Sequence, residues 1–199
     1  MIKTIFFDIG GVYATNSTGR TLAENLSKNV DLDKEKCMEI IIKFDLDFMR
    51  GRSTADEFYS NMAKELGTTS DLIEKSWNPY NFSDLNKKIL KIITKLKENG
   101  YTVAALTDVD PVHEKIRLSN GTYDPFDFVI TSIDEGCIKM DGKLYEIALK
   151  KSKTKPEESL MIDDDEKKLV AARKYGIKTI LFTTAENLVK DLKKIGVRI

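Results

Sequence analysis

Short apolar runs alternate along the chain with longer segments whose apolar residues recur at helical spacing. The first run, residues 4–7, is built from β-branched and aromatic residues and leads directly into Asp8, Ile9 and two glycines. Apolar residues at every position are typical of a strand buried on both faces, as in a parallel sheet. Similar runs predict four further strands, at residues 102–106, 128–131, 159–162 and 179–182.

Helical patterns separate these strands, and residues 15–81 contain helical patterns only. A capping box within residues 53–57 marks the start of one of these helices. The apolar face predicted for residues 34–49 consists of Met38, Ile41, Ile42 and Leu46. The other predicted helices cover residues 21–30, 71–77, 83–99, 111–118, 144–151, 169–175 and 185–195.

Alternation of strands with helices predicts a parallel sheet with right-handed crossovers. We therefore expect an α/β fold, with a Rossmann-like parallel sheet core and a small all-helical cap inserted after the first strand. The expected core domain comprises residues 1–14 and 82–199. Residues 15–81 are the expected cap, placed over the carboxyl end of the sheet.

Composition argues against several classes of function. Lysine plus arginine and aspartate plus glutamate number 32 each, so no global basic field favours nucleic acid or a membrane surface. No apolar run reaches the ~20 residues of a membrane span, and no signal-peptide pattern is present. Cys37 and Cys137 have no metal-binding spacing, which predicts reduced thiols in a cytoplasmic protein. His113 is the only histidine, which argues against a histidine-based triad or zinc site. No segment predicts an oligomeric state.

Side chains capable of chemistry follow several predicted strands. Asp8, Thr107 and the pair Asp163 and Asp164 come directly after strands, and Lys139 lies in a loop that can reach them. Ligands of open parallel sheets bind outside the carboxyl ends of the strands. We therefore expect these groups to converge on one crevice.

The aspartates leave several interpretations open. Asp8 could attack a phosphorus atom, hold a metal or cap the turn. Together with Asp163 and Asp164 it would form an all-oxygen site of the kind that Mg²⁺ prefers, since close carboxylates repel one another unless a cation neutralises them. Alternatively, these acids cap a helix N-terminus. We favour capping for Asp165 and metal binding for Asp163 and Asp164.

Two further groups could hold the oxygens of a phosphoryl group. Thr107 offers a hydroxyl and the backbone N–H groups of the following turn, and Lys139 offers a point charge. Each signal is weak alone, because strand-end threonines and surface lysines are common. Their order along the chain makes the set specific.

This ordered set resembles the haloacid dehalogenase-like hydrolases over nearly the whole chain. The four segments that resemble the family's motifs are residues 7–12, 106–108, 135–139 and 161–164. A helical insertion between the first two motifs is typical of members that carry a small helical cap. Arg50 and Gly51, before the start of the third helix, are also typical of that cap.

The resemblance implies a Mg²⁺-dependent phosphatase that acts on a small phosphorylated metabolite, such as a sugar phosphate. Asp8 would be the nucleophile that forms an aspartyl-phosphate, and Lys139 would be the catalytic lysine. The implied metal ligands are Asp8, the Gly10 carbonyl oxygen, Asp163 and Asp164. The implied substrate-binding residues are Thr107, Asp108 and Gly11.

Two departures from the family pattern bear directly on the chemistry. Gly10 stands where the family usually has a second aspartate that acts as general acid and base. Such help is typically worth ~10²–10⁴-fold, although some branches, including sugar-phosphate phosphatases, also lack this aspartate. Asp108 stands where asparagine is common, and as a hypothesis it could carry the missing proton.

Several residues of the predicted cap and its surroundings are candidates for substrate contacts. Those in the predicted cap are Phe44, Asp45, Phe48, Arg50, Trp77 and Tyr80. We expect Phe44, Phe48 and Trp77 to be core residues and Arg50 to form a surface or interdomain ion pair. Tyr13 and Asn16 are expected at the entrance of the site. His113 is expected to be structural or exposed.

Two other functions compete with hydrolysis. The first is a catalytically weak or inactive relative that binds a phosphate ligand or a partner as a regulator, which Gly10 and Asp108 favour. The second is a phosphotransferase or mutase. Gly10 counts against this second alternative, because mutases rely on the second aspartate.

Overall fold

The structure is a computed structural model that describes residues 1–15, 19–77 and 84–199, with only the backbone of Arg20. The strands in these ranges are β1 (Thr4–Phe7), β2 (Thr102–Thr107), β3 (Phe128–Thr131), β4 (Ser159–Asp163) and β5 (Lys178–Leu181). The α-helices are α1 (Gly19–Val30), α2 (Lys34–Met49), α3 (Ala55–Leu66), α4 (Ser70–Trp77), α5 (Lys87–Glu98), α6 (Pro111–Ser119), α7 (Ser132–Glu135), α8 (Lys143–Ser152), α9 (Glu166–Lys174) and α10 (Ala185–Lys194). Short 3₁₀ turns are formed by Lys139–Asp141 and Pro156–Glu158.

The described strands form one parallel sheet in the order β3-β2-β1-β4-β5. β1 is central, and its last residue, Phe7, lies opposite Ala105 of β2 and Ile162 of β4. The predicted α/β class with a Rossmann-like parallel sheet is therefore confirmed.

Both faces of the sheet are covered by helices. Ile5 and Phe7 belong to a hydrophobic cluster that includes side chains of α5 and α10. Phe6 points to the other side and belongs to a cluster that includes side chains of α8 and α9. This burial on both sides is the physical reason that the opening run is apolar at every position.

Helices α1 to α4 follow β1 and enclose a third hydrophobic cluster of their own. Phe48 and Phe58 stack with their ring centroids 4.2 Å apart, and Trp77 lies edge-on to Phe58 at 4.6 Å. Core positions for Phe48 and Trp77 are therefore confirmed, and Phe44 packs partly buried against the same cluster. The division into a core domain and a cap at residues 15–81 stays a prediction.

The apolar face predicted for α2 is wrong in part. Ile42 is 51% exposed and Leu46 is 39% exposed. The buried side chains of this helix are Cys37, Ile40, Ile41 and Phe48. Because α2 carries apolar residues on most of its circumference, its orientation is set by packing against α1 and α3 rather than by spacing alone.

Tyr13 is not at the entrance of the site, so that expectation is wrong. Its N–H donates to the Ile9 carbonyl oxygen at 3.0 Å, and this turn directs the ring into the core. The ring is 1% exposed and lies edge-on to Phe126 at 5.6 Å. The predictions for Asn16, Tyr80 and the helix start at Ser83 lie outside the described residues.

Among the described residues, no helix combines the length and the apolar character needed to cross a membrane.

Candidate active site

Asp8 follows the last residue of the central strand and is almost completely buried. Its N–H donates to the Ile162 carbonyl oxygen at 2.9 Å, which continues the pairing of β1 with β4 by one residue. Its Oδ1 accepts a hydrogen bond from the Ile9 N–H at 2.7 Å. The carboxylate is thus held at the carboxyl edge of the sheet.

Asp163 and Asp164 come from the end of β4, next to Asp8. Asp8, Asp163 and Asp164 each offer a carboxylate oxygen, and these oxygens all lie within 4.8 Å of one another. Asp163 is buried, whereas Asp164 is exposed. Asp165 caps α9 by accepting a hydrogen bond from the Lys167 N–H at 2.9 Å, which confirms the capping interpretation for this third aspartate.

Lys139 lies between two of these carboxylates. Its Nζ is 2.9 Å from Asp8 Oδ1 and 2.6 Å from Asp163 Oδ2, and the side chain is fully buried. A buried charge is tolerated only with such partners. The two aspartates raise the pKa of Lys139, although burial opposes this, so the ammonium group stays charged.

The carboxylates differ in their ease of ionisation. Burial raises the pKa of Asp8, but the positive charges of Lys139, Lys168 and Arg117 outweigh it and hold that pKa below its usual value. Burial and repulsion by Asp8 raise the pKa of Asp163 to about 6, in spite of Lys139. The same two causes raise the pKa of Asp164.

Thr107 ends β2 and is fully buried beside Arg117 of α6. Its hydroxyl accepts a hydrogen bond from Arg117 Nη1 at 3.1 Å and donates to the Asp108 carbonyl oxygen at 3.3 Å. His113 of the same helix is also buried and pairs with Asp110, the N-cap residue of α6. This geometry fits the expected structural role of His113.

Asp108 has two basic neighbours. Its Oδ1 accepts a hydrogen bond from the Lys139 N–H at 2.9 Å, and its Oδ2 is 3.8 Å from Lys168 Nζ. The same Lys168 Nζ is 3.8 Å from Asp8 Oδ2. The negative charge of Asp108 is therefore compensated by the Lys139 N–H and by Lys168, which it shares with Asp8.

The Asp8 and Asp164 carboxylates open onto a cavity of about 600 Å³ between the sheet edge and the helical segment. Its lining from the sheet side consists of Asp8, Gly10, Asp108, Asp164, Asp165 and Lys168. Its lining from α1 and α2 consists of Gly19, Met38, Asp45 and Met49. A ligand in this cavity would therefore touch both the carboxyl edge of the sheet and helices α1 and α2.

Gly11 packs directly against Asp164. Its φ is +79°, and a Cβ built on it would lie 2.1 Å from Asp164 Oδ2. Gly11 belongs to the lining of a neighbouring cavity, beside Phe182 and Thr183, rather than to the described lining of the cavity at Asp8. Its glycine identity is thus required for the close approach of Asp164.

Sequence reasoning missed Lys168 and Arg117. Lys168 lies in the first turn of α9, four residues after Asp164, and this spacing is the only sequence signal for it. Arg117 lies ten residues after Thr107, on a helix whose rotation cannot be read from its spacing. Arg50 was expected in an ion pair, and it binds Asp141 through two hydrogen bonds, of 2.9 and 2.6 Å.

Comparison with known proteins gives matches over most of the chain. The chain is 26% identical over 174 residues to bifunctional epoxide hydrolase 2 of Mus musculus, which covers 79% of this chain but only 30% of that protein. It is 26% identical over 208 residues to the glyceraldehyde 3-phosphate phosphatase of Pyrococcus furiosus, which covers 96% of this chain and 85% of that protein.

Solved structures share the fold. A HAD family enzyme from Bacteroides thetaiotaomicron superposes with a TM-score of 0.75 at 25% identity, covering 92% of this chain and 94% of that chain. The wild-type form of that enzyme in complex with magnesium and inorganic phosphate superposes with a TM-score of 0.74 at 24% identity, covering 92% and 95%.

A match to a protein-family model shows to which family the chain belongs. The model of the haloacid dehalogenase-like hydrolases matches residues 2–176, which include all of the strand-end groups described above. Phosphatases are among the relatives of the chain. The chain therefore belongs to the haloacid dehalogenase-like hydrolase family.

Proposed function

We propose that the chain is a Mg²⁺-dependent phosphatase that hydrolyses a small phosphorylated metabolite through an aspartyl-phosphate on Asp8. The observation that carries this proposal is the position of the Asp8 carboxylate. It borders a cavity, contacts the Lys139 ammonium group and has Asp163 and Asp164 beside it. An ionised carboxylate in such surroundings is suited to nucleophilic attack on phosphorus.

The carboxylates of Asp8, Asp163 and Asp164 fit a divalent cation. Their donor atoms are all oxygen, and their mutual repulsion is what a cation would relieve. These three carboxylates and the Gly10 carbonyl oxygen are the proposed ligands of Mg²⁺, which would supply positive charge against the phosphoryl oxygens. The structure of the Bacteroides thetaiotaomicron enzyme with magnesium and inorganic phosphate supports this choice of metal.

The chain's own residues perform the proposed reaction. One Asp8 oxygen attacks the phosphorus atom and displaces the leaving group, and water then hydrolyses the acyl phosphate. Lys139 and Lys168 face different oxygens of Asp8, so both can stabilise the charge that develops on the phosphoryl group. The Thr107 hydroxyl binds the phosphoryl group in this proposal by exchanging its bond to the Asp108 carbonyl oxygen.

The proposed substrate is a small metabolite with a phosphate group, and Asp108 is proposed to line its site. A cavity of about 600 Å³ suits such a molecule. The relative named for glyceraldehyde 3-phosphate supports a substrate of the sugar-phosphate type.

Gly11 is proposed to contribute to the site indirectly, because its missing side chain leaves room for the Asp164 carboxylate. A cytoplasmic location is part of the proposal, supported by the free, buried thiols of Cys37 and Cys137.

Phosphate release from a panel of phosphorylated metabolites, with Mg²⁺ and with chelator, tests the proposal. We expect turnover that requires the metal and is lost in Asp8→Asn. Asp71→Asn is the matched control, because Asp71 is an exposed aspartate on α4 outside the described cavity lining. Equal turnover in Asp8→Asn and the wild type would contradict the proposal.

Gly10 favours a second candidate, a phosphate-binding regulator without significant turnover. The two candidates are distinguished by beryllofluoride, which with Mg²⁺ forms a phosphate mimic on a competent aspartate. An active site should be strongly stabilised by this mimic and should release phosphate from at least one substrate. A folded protein that binds Mg²⁺ but releases no phosphate would favour the regulator.

A further inference from the structure

Gly10 stands where the family usually has an aspartate that donates a proton to the leaving group. The leaving group therefore lacks its usual proton donor. On the proposed function, the displaced oxygen must still take a proton if it leaves as an alcohol. Attack in line from Asp8 puts this oxygen on the face of the phosphorus atom opposite Asp8. The proton donor should therefore lie across the cavity from the sheet edge.

Asp45 is the acid that α2 contributes to the cavity lining, whereas Asp8 and Asp108 line the cavity from the sheet edge. Met38 and Met49, its neighbours from α2 in the lining, carry no ionisable group. Among the residues the structure describes, none donates a hydrogen bond to the Asp45 carboxyl group, so this group is available to a ligand. We propose that Asp45 is the general acid that protonates the leaving oxygen and, as its carboxylate, the general base that activates water.

The surroundings of Asp45 favour the protonated form. Burial raises the pKa of Asp45 well above its usual value, and repulsion by Asp110 and Asp108, which follow β2, adds to the effect. Lys168 of α9 opposes it but does not cancel it. A carboxyl group whose pKa is raised holds its proton more tightly than an ordinary aspartate and is better suited to act as a general acid.

Asp108, the other acid considered for this role, is less free to act. Its Oδ1 accepts a hydrogen bond from the Lys139 N–H, and its Oδ2 faces Lys168. It also lies on the sheet side of the cavity, together with Asp8. Asp45 is therefore better placed than Asp108 for a proton transfer on the far side of the phosphorus atom.

The proposed proton transfers balance over one turnover. As the Asp8 oxygen bonds to phosphorus, the bond from phosphorus to the leaving oxygen breaks, and that oxygen takes the electron pair and the Asp45 proton. The Asp45 carboxylate then takes a proton from the water that attacks the phosphorus atom. The bond from phosphorus to Asp8 breaks with its electron pair returning to the Asp8 carboxylate, and phosphate is released.

A series of leaving groups tests this role of Asp45. The substrates are p-nitrophenyl phosphate, phenyl phosphate and the best alkyl phosphate of the panel, in order of increasing need for a proton. We expect Asp45→Asn to lower kcat/KM for the alkyl phosphate by ~10²-fold or more and to leave kcat/KM for p-nitrophenyl phosphate nearly unchanged, because kcat/KM reports the steps up to departure of the leaving group. The decline of kcat/KM for the alkyl phosphate at high pH should also disappear in this variant.

Asp47→Asn is the matched control, because Asp47 lies on the same helix with its side chain 65% exposed. It should not change the dependence on the leaving group. A normal kcat/KM of Asp45→Asn for p-nitrophenyl phosphate also verifies that the variant is folded.

Three results would overturn the role of Asp45. They are an equal loss of kcat/KM on all three substrates, no loss of kcat/KM on any of them, or a loss confined to the alkyl phosphate in Asp108→Asn in place of Asp45→Asn. Failure of the phosphatase proposal itself is distinguishable, because Asp8→Asn would then release as much phosphate as the wild type.

Discussion

Two lysines carry positive charge toward Asp8, and they do so from different elements. Lys139 is fully buried in a 3₁₀ turn and contacts both Asp8 and Asp163. Lys168 is 23% exposed on α9 and lies 3.8 Å from both Asp8 and Asp108. Because Lys168 is partly exposed and lines the cavity, whereas Lys139 is fully buried between two carboxylates, the charge of Lys168 is the more available to a ligand.

Replacement of Lys168 should slow phosphate release. We expect Lys168→Met to lower kcat/KM by roughly 10–100-fold, since a preorganised charge on the phosphoryl oxygens would be lost. Lys167→Met, the neighbouring exposed lysine, is the control and should keep wild-type kinetics. An equal loss of kcat/KM in the two variants would show that Lys168 acts no differently from an exposed surface lysine. Steady-state kinetics on the best substrate of the panel measures this.

Gly11 allows a second test at the residue scale. Gly11→Ala pays about 1–2 kcal/mol for a left-handed backbone and also pushes Asp164 away, since the new Cβ would lie 2.1 Å from its Oδ2. Gly67 has a similar φ of +64°, but no atom lies within 4 Å of its Cβ position. Gly67→Ala thus separates backbone strain from the clash.

We expect both glycine variants to lose a similar free energy of unfolding from backbone strain. Only Gly11→Ala should also lower the affinity for Mg²⁺, by roughly 10–100-fold, as displaced neighbours of metal sites do. Urea denaturation and Mg²⁺ titration measure the two effects. Unchanged Mg²⁺ affinity in Gly11→Ala would remove Asp164 from the proposed ligands.

At the scale of elements, one ion pair joins the helical segment to the turn that carries Lys139. Arg50 is the C-cap residue of α2, and Asp141 ends the 3₁₀ turn that begins at Lys139. The Arg50 side chain is 15% exposed and bonds through Nε and Nη2 to both oxygens of Asp141. The orientation of α2, which brings Asp45 to the cavity, thereby depends on the same turn as Lys139.

A double-mutant cycle measures this ion pair. Lysine cannot reproduce the two parallel hydrogen bonds, so Arg50→Lys combined with Asp141→Asn should show a coupling free energy of roughly 1 kcal/mol. The pair Arg52 and Asp47, with side chains 60% and 65% exposed, is the control and should show almost none. Similar couplings in the two cycles, from urea denaturation, would contradict a special role for Arg50.

At the scale of the whole molecule, the parallel sheet brings distant negatively charged side chains next to one another. Asp8 and Asp163 are 155 positions apart in sequence, yet parallel pairing of β1 with β4 makes them neighbours. Burial and the resulting repulsion by Asp8 raise the pKa of Asp163, so the folded metal-free protein binds a proton more tightly than the unfolded chain does. Stability from this group is present at low pH and is lost as the pH rises through about 6.

Magnesium should therefore stabilise the protein in a pH-dependent way. Mg²⁺ binds ionised carboxylates, so its apparent affinity should fall by about tenfold per pH unit below the pKa of Asp163. We expect the increase of Tm with Mg²⁺ to be large at pH 8 and small at pH 5. Thermal unfolding across this range measures it, and Asp163→Asn should flatten the dependence. An increase of Tm that is the same at pH 5 and pH 8 would argue against binding at Asp163.

Much of the fold followed from patterns that local physics controls. Strand positions were predictable because a strand buried on both faces must be apolar throughout, and helix ends were marked by caps such as Thr54 with Glu57. The rotation of α2 and the burial of Tyr13 were not predictable, since each depends on which distant surface is available to cover apolar residues.

The sequence by itself determined the order of the strands and helices along the chain, the membership of the family and the acids that follow β1 and β4. These features are local, so spacing and residue type carry them. Only the tertiary structure decided that Lys168 faces Asp8, that Arg117 binds Thr107, and that Asp45 lies in the cavity with the aspartates. Each of these depends on helix rotation and crossover packing, which bring together residues that no sequence spacing relates.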